Sequence, residues 1–175
     1  MPRNLEVKAR IRSVHEAEQI ARFIDATFEG TLQQVDTYYN VPRGRLKSRE
    51  INNERAELIF YERDEHAKHR ESNYRVFPCV EISLLKEILE RSLGIRAIVK
   101  KKRKLFMYKS TRIHLDEVEN LGSFLELESP VEESMDKAQE VVAFLVREFS
   151  VQDADFVLES YVDLLTSMNQ KNLGF

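Results

Sequence analysis

Asn4-Leu-Glu-Val-Lys-Ala-Arg-Ile-Arg12 alternates without a break. Leu5, Val7, Ala9 and Ile11 fall on one face of an extended segment, and Glu6, Lys8, Arg10 and Arg12 on the other. One such strand is explained by an antiparallel sheet with one face in water. The ionic alternation recurs, however: at Arg45, Lys47 and Arg49, at Glu57, Tyr61 and Arg63, at Arg112, His114 and Asp116, and at Glu126 and Glu128. A sheet charged on one face of nearly every strand could close so that this face lines an interior. Such a lumen would need a highly charged guest.

Outward from that strand, Ser13 and Glu16 fit a capping box opening a helix whose apolar face is Val14, Ala17, Ile20, Ala21 and Ile24, with Gly30 as its stop. Residues 35–39 read as a strand, 42–44 as a turn, and 45–50 and 56–63 as further strands. Residues 64–71 read as a polar loop, in which His66 and His69 lack a third ligand nearby and predict no metal site. A strand at 74–80 leads to a helix between Ser83 and Gly94, marked by Leu84, Leu85, Ile88, Leu89 and Leu93. The run Lys100-Lys-Lys-Arg-Lys104 lies inside a strand at 98–108, so half of its charges face each way. Residues 112–117 and 123–128 form a hairpin turning near 120–122, and helices follow at 138–149 and 161–168. The order predicts an α+β fold: an eight-stranded antiparallel β-barrel or tunnel with a charged lumen, flanked by three to four helices. It is read as one domain over residues 1–168, with 169–175 a flexible polar tail.

Composition narrows the partners. Lys and Arg total 27 against 30 Asp and Glu in 175 residues, and a net charge of −3 predicts no general affinity for nucleic acid or an anionic membrane. The lone Cys79 excludes an internal disulfide, and no apolar run approaches the roughly 18 residues of a membrane span. With no signal-peptide pattern at the N-terminus, a cytoplasmic location is expected.

The inward set offers cations from Lys8, Arg10, Arg45, Lys47, Arg49, Arg63, Lys101, Arg103 and Arg112, chemistry suited to phosphate oxygens. Burying them demands a polyanion or compensating carboxylates. Glu6, Asp116, Glu126 and Glu128 supply carboxylates, and glutamates among phosphate-binding cations suit a hard divalent ion such as Mg²⁺. The other reading of the same residues is a set of cross-strand salt bridges on an ordinary sheet. Periodicity alone leaves both open. No Walker A sequence is present, the five glycines are scattered, and nothing pairs Cys79 with a histidine as a nucleophile.

Five ordered motifs then carry a resemblance: Asn4-Leu-Glu6-Val-Lys8, Asp36-Thr-Tyr-Tyr39, Gly44-Arg-Leu-Lys-Ser-Arg49, Val99-Lys-Lys101-Lys-Arg103, and His114 to Gly122 leading into Phe124-Leu-Glu-Leu-Glu128. The chain resembles the CYTH superfamily, the triphosphate tunnel metalloenzymes, in the branch similar to class IV adenylyl cyclases. The resemblance runs on to Ser160-Tyr-Val-Asp-Leu-Leu165. It implies an eight-stranded antiparallel tunnel that takes a small-molecule triphosphate, ATP or tripolyphosphate, with Mg²⁺ or Mn²⁺. Lys8, Arg10, Lys47, Arg49, Lys101 and Arg103 would be phosphate ligands, joined by Arg45 and Arg112. Glu6 and Glu126, with Glu128 as a third candidate, would be metal ligands, and Asp116 an acidic neighbour. Lys8, Tyr38, Lys47 and Arg63 are the catalytic candidates. Asn4 stands where the family's hallmark has its first glutamate, which implies one strongly held ion rather than two. Tyr61-Glu-Arg63 stands where the family's triphosphatases carry a lysine, which weakens a lysine–tyrosine dyad even though Tyr38 matches. The leading implied reaction is cyclisation of ATP to cyclic AMP and pyrophosphate. Triphosphate hydrolysis and non-catalytic nucleotide or polyphosphate binding are the alternatives, and a homodimer is left open.

Overall fold

The alternating first stretch forms the strand β1 (Asn4–Arg10) of a computed structural model that describes residues 4–63, 72–131 and 134–172. Seven more strands follow: β2 (Thr27–Tyr39), β3 (Arg45–Ile51), β4 (Arg55–Arg63), β5 (Ser72–Cys79), β6 (Ile95–Tyr108), β7 (Thr111–Val118) and β8 (Gly122–Pro130). They form one sheet in the order β1-β8-β7-β6-β2-β3-β4-β5, with every neighbouring pair antiparallel. The helices are α1 (Val14–Phe23), α2 (Ile82–Leu93), α3 (Met135–Glu148) and α4 (Tyr161–Asn172). The polar loop bearing His66 and His69 lies outside the described residues, as do residues 173–175. The last helix runs to Asn172, so the first four residues read as a tail are helical.

Alternation separates two cores. The outward residues Leu5, Ile113, Leu115, Leu125 and Leu127 pack against Val14, Ala17 and Ala21 of α1 and Ala138, Val142 and Leu145 of α3. The amphipathic helices therefore cover the outer face of β1, β7 and β8. On the inner face Tyr38, Ile59, Tyr61, Val99, Val118 and Phe124 pack with Tyr161, Val162 and Leu165 of α4. The lumen is thus ionic over one part of its length and apolar where α4 enters it.

Two local expectations change. Helix α1 stops at the cap Ile24, followed by Asp25 at φ 60°, well before Gly30. Gly30 instead sits within β2 at φ 146°, where the β2–β6 register shifts between Phe28 and Gly30. A glycine tolerates that backbone at a bulge as readily as at a helix end. The barrel also differs in closure: among the described residues no backbone ladder joins the edge strands β1 and β5. Side chains meet across the seam, with Tyr74 Oη donating to Glu6 Oε1 at 3.4 Å.

Candidate active site

Register places the charged residues opposite one another on the inner face. Asp36 faces Arg49 and Tyr38 faces Lys47 across β2–β3, and Arg103 faces Asp116 across β6–β7. His114 faces Glu126 and Arg112 faces Glu128 across β7–β8, while Lys8 faces Glu126 and Glu6 faces Glu128 across β1–β8. Glu6, Lys8, Arg49, Lys101, Arg103 and Glu126 all line one cavity of about 360 Å³, with Tyr38, Lys47, Arg112 and Glu128. Leu5, Leu125 and Leu127 are buried outside it, and Val7 packs there partly buried. This is the tunnel arrangement rather than a charged outer surface.

Two buried carboxylates organise the cations. Asp36, 1% exposed, accepts Arg49 Nε and Nη2 at 2.7 Å each and Lys47 Nζ at 2.8 Å, and Lys101 Nζ lies 3.4 Å away. Burial alone would raise the Asp36 carboxyl, but Lys101, Lys47 and Arg49 together hold it well below the usual range. Burial, reinforced by the Arg49 charge, lowers the Lys47 amine from 10.5 to about 7. Burial, partly offset by Asp36, lowers Lys101 from 10.5 to about 8. Lys47 Nζ also lies 3.3 Å from Tyr38 Oη, which is 3.5 Å from Tyr61 Oη. Burial, and then Tyr61, pushes the Tyr38 phenol well above its ordinary value.

The second centre is Asp116, fully buried, which accepts Arg103 Nε and Nη2 at 2.7 Å each and Tyr161 Oη at 2.7 Å. The two-pronged arginine contact fixes the guanidinium plane. Arg103 Nη2 reaches Glu126 Oε1 at 3.3 Å, His114 Nδ1 lies 3.4 Å from the same oxygen, and Lys8 Nζ is 3.6 Å from Oε2. Burial would raise Glu126, yet Arg103, His114 and Lys8 keep it ionised well below its ordinary range. Burial and the Arg103 charge lower His114, favouring the neutral ring. Near the seam, Glu128 Oε1 accepts Asn4 Nδ2 at 2.5 Å and Arg112 Nη1 at 3.2 Å. Cations and carboxylates therefore balance within the site before any guest arrives.

Some residues of the alternating set lie elsewhere. Arg10 donates to the Leu121 carbonyl at 3.1 Å and sits 4.9 Å from the Phe124 ring, off the cavity. Arg45 donates to Ser160 Oγ at 2.5 Å and pairs with Asp163 at 2.8 Å, anchoring α4. The alternation continues past the ends of the lumen, where inward residues meet the β7–β8 turn or α4. The Arg63 side chain lies outside the described residues. Asp36 and Tyr161 are site residues that the charged alternation does not include. Asp36 shares the parity of Tyr38 on β2, a signal that could have found it, whereas nothing local marks a residue at the start of a helix.

The carboxylates bear on the metal question. Among the described residues, no group of three or more His, Cys, Asp or Glu side chains gathers as a cage. Mg²⁺ commonly takes one or two carboxylates and completes its shell with water and substrate phosphates, so the in-register pair Glu6 and Glu128, beside Glu126, fits such an ion.

Eight antiparallel strands rolled around a cation-lined, carboxylate-bearing cavity define a tunnel architecture. The chain belongs to the CYTH domain family, whose profile matches residues 2–161. The fold is shared with a protein from Pyrococcus horikoshii OT3 at 22% identity and TM-score 0.82, covering 92% of this chain and 98% of that one. A candidate adenylate cyclase from Vibrio parahaemolyticus superposes at TM-score 0.74 and 19% identity, covering 94% and 98% of the two chains. A candidate adenylyl cyclase from Hippeastrum with a dominant triphosphatase activity superposes at TM-score 0.71 and 12% identity, covering 96% of each. No curated protein sequence matches the chain. The family's triphosphate tunnel metalloenzymes depend on divalent metals and act on triphosphates. No described helix is long and apolar enough to cross a membrane.

Proposed function

We propose that the cavity binds a triphosphate with Mg²⁺ or Mn²⁺ and hydrolyses its terminal phosphoanhydride. The observation that carries this reading is the Lys47–Tyr38 pair: an amine lowered to about 7, at 3.3 Å from a phenol, on the floor of the cation set. Near neutral pH part of Lys47 is unprotonated and can take a proton from an attacking water. Lys8, Arg49, Lys101 and Arg103 hold phosphate oxygens and offset the charge that moves to the bridging oxygen as the P–O bond breaks. Glu6 and Glu128, beside Glu126, would hold the divalent ion, which would supply further charge neutralisation. Arg112 donates to Glu128 at 3.2 Å and lines the same cavity.

A cavity of about 360 Å³ is at the small end for organic ligands, which favours a compact triphosphate chain over a deeply enclosed nucleoside. The second reading, cyclisation of ATP, is favoured by one feature: Ile59, Tyr61, Tyr74 and Val76 give the cavity an apolar, aromatic side suited to a flat organic group. Incubating the protein with tripolyphosphate or ATP and each metal, then separating products, distinguishes them. Orthophosphate is the expected product, with kcat/KM climbing as pH rises through about 7, where Lys47 of the ligand-free protein loses its proton. Cyclic AMP and pyrophosphate from ATP would transfer the conclusion to cyclisation, and no product from either would leave a binding protein.

A further inference from the structure

We infer that Tyr161, at the start of α4, is a positioning residue for the cations of the cavity, which makes the C-terminal helix a working part of the site. The inference rests on the reading of the cavity as a triphosphate site. Tyr161 Oη donates to Asp116 Oδ2 at 2.7 Å, the oxygen that also accepts Arg103 Nη2 at 2.7 Å. Its ring lies under Lys8 Nζ at 4.2 Å to the centroid and within 5.6 Å of Lys101 Nζ. Phe124 braces the ring edge-on at 5.0 Å. One side chain thus addresses three cations: Arg103 through its carboxylate, and Lys8 and Lys101 through the negative face of the ring. A lysine ammonium on a four-carbon stem has little directional preference of its own, and a fixed aromatic face limits where it can go.

The helix that carries Tyr161 is anchored independently. Arg45 bonds Ser160 Oγ at 2.5 Å and Asp163 at 2.8 Å, and Arg96 reaches Asp163 at 3.1 Å. Val162 and Leu165 are buried against the inner face. Altering the phenol alone therefore leaves α4 in place, and the variants can be read as changes in the site.

The test is calorimetric titration of tripolyphosphate, with steady-state kinetics, on wild type, Tyr161→Phe and Tyr161→Leu. Tyr161→Leu removes both ring and hydroxyl and should weaken tripolyphosphate about tenfold. Tyr161→Phe keeps the ring under the lysines and should restore affinity to within about threefold of wild type. It frees Asp116 and Arg103 from the hydroxyl, so kcat should fall more than KM rises. Melting temperatures report separately on any loss of packing, and Tyr161→Phe keeps the proposal falsifiable if the leucine variant folds poorly. Wild-type binding with Tyr161→Phe matching it in both kcat and affinity, and Tyr161→Leu equally tight, overturns the role of Tyr161 alone. A wild-type protein that does not bind tripolyphosphate overturns the reading of the cavity, and this inference with it.

Discussion

The two faces of β1 and β8 solve opposite problems with alternate residues of the same strands. Leu5, Leu125 and Leu127 are withdrawn from water against α1 and α3, a dry core held by area and close packing. One residue along, Glu6, Lys8, Glu126 and Glu128 are withdrawn from bulk water too, but as charges set against one another. The first arrangement is stable with nothing added. The second is balanced rather than optimal, because buried ion pairs recover their desolvation cost only with good geometry and full hydrogen bonding. What differs is reversibility: a hydrophobic contact has no alternative partner of interest, whereas a cation paired with a carboxylate can accept a phosphate instead.

The largest expected effect breaks the ionic face. Asp36→Ala leaves Lys47, Arg49 and Lys101 without their shared carboxylate and should cost about 3–5 kcal/mol of stability, read by denaturant unfolding. Tripolyphosphate should recover more stability in this variant than in wild type, since the guest replaces the missing charge. Leu127→Ala, fully buried on the dry face, should cost about 3 kcal/mol, with tripolyphosphate affinity unchanged. Equal ligand rescue of both variants would erase the distinction between the faces.

A smaller effect separates phosphate from metal roles within the ionic face. Lys101→Ala should weaken tripolyphosphate by about 1.5–3 kcal/mol in the absence of metal, the scale of a charge-assisted contact. Glu6→Gln should leave metal-free binding intact and raise the Mn²⁺ needed for half-maximal rate. Equal loss of metal-free affinity in both would mean that Glu6 serves only to orient its neighbours.

The smallest effect is protonic. Lys47 and Lys101 stand at about 7 and about 8, and an arriving phosphate raises both toward the ordinary lysine value. Binding at pH 7.5 should therefore take up about one proton, visible as a dependence of binding heat on buffer ionisation enthalpy. No uptake would place the phosphate away from both amines. The same lowered values fix a sign for stability. From about pH 7 to the unfolded lysine value of 10.5 the unfolded chain binds more protons, so these two groups make stability rise with pH across that window.

Much of this contrast was legible in the sequence, because period two is a strong signal and says which residues share a face. It identified Glu6, Lys8, Arg49, Lys101, Arg103 and Glu126 as cavity residues. It could not say where a face stops being lumen, which is why Arg10 and Arg45 were grouped with residues they do not join. The aromatic and helical parts were less visible. Tyr161 reaches Asp116 across 45 positions of sequence, and no periodicity relates a helix start to a strand interior. Gly30 shows the same limit on a smaller scale, since a glycine signals a permitted backbone without saying whether a cap or a bulge uses it.

The unladdered seam between β1 and β5 has a mechanical consequence. In a fully hydrogen-bonded barrel, strand number and stagger fix the radius, and no side chain can change it. Here the gap at the rim is spanned by contacts such as Tyr74 to Glu6, so aperture becomes a variable set by side-chain chemistry. A substitution at Glu6 acts on width as well as on charge, and the bore of the molecule is adjustable at the seam where, among the described residues, its backbone does not close.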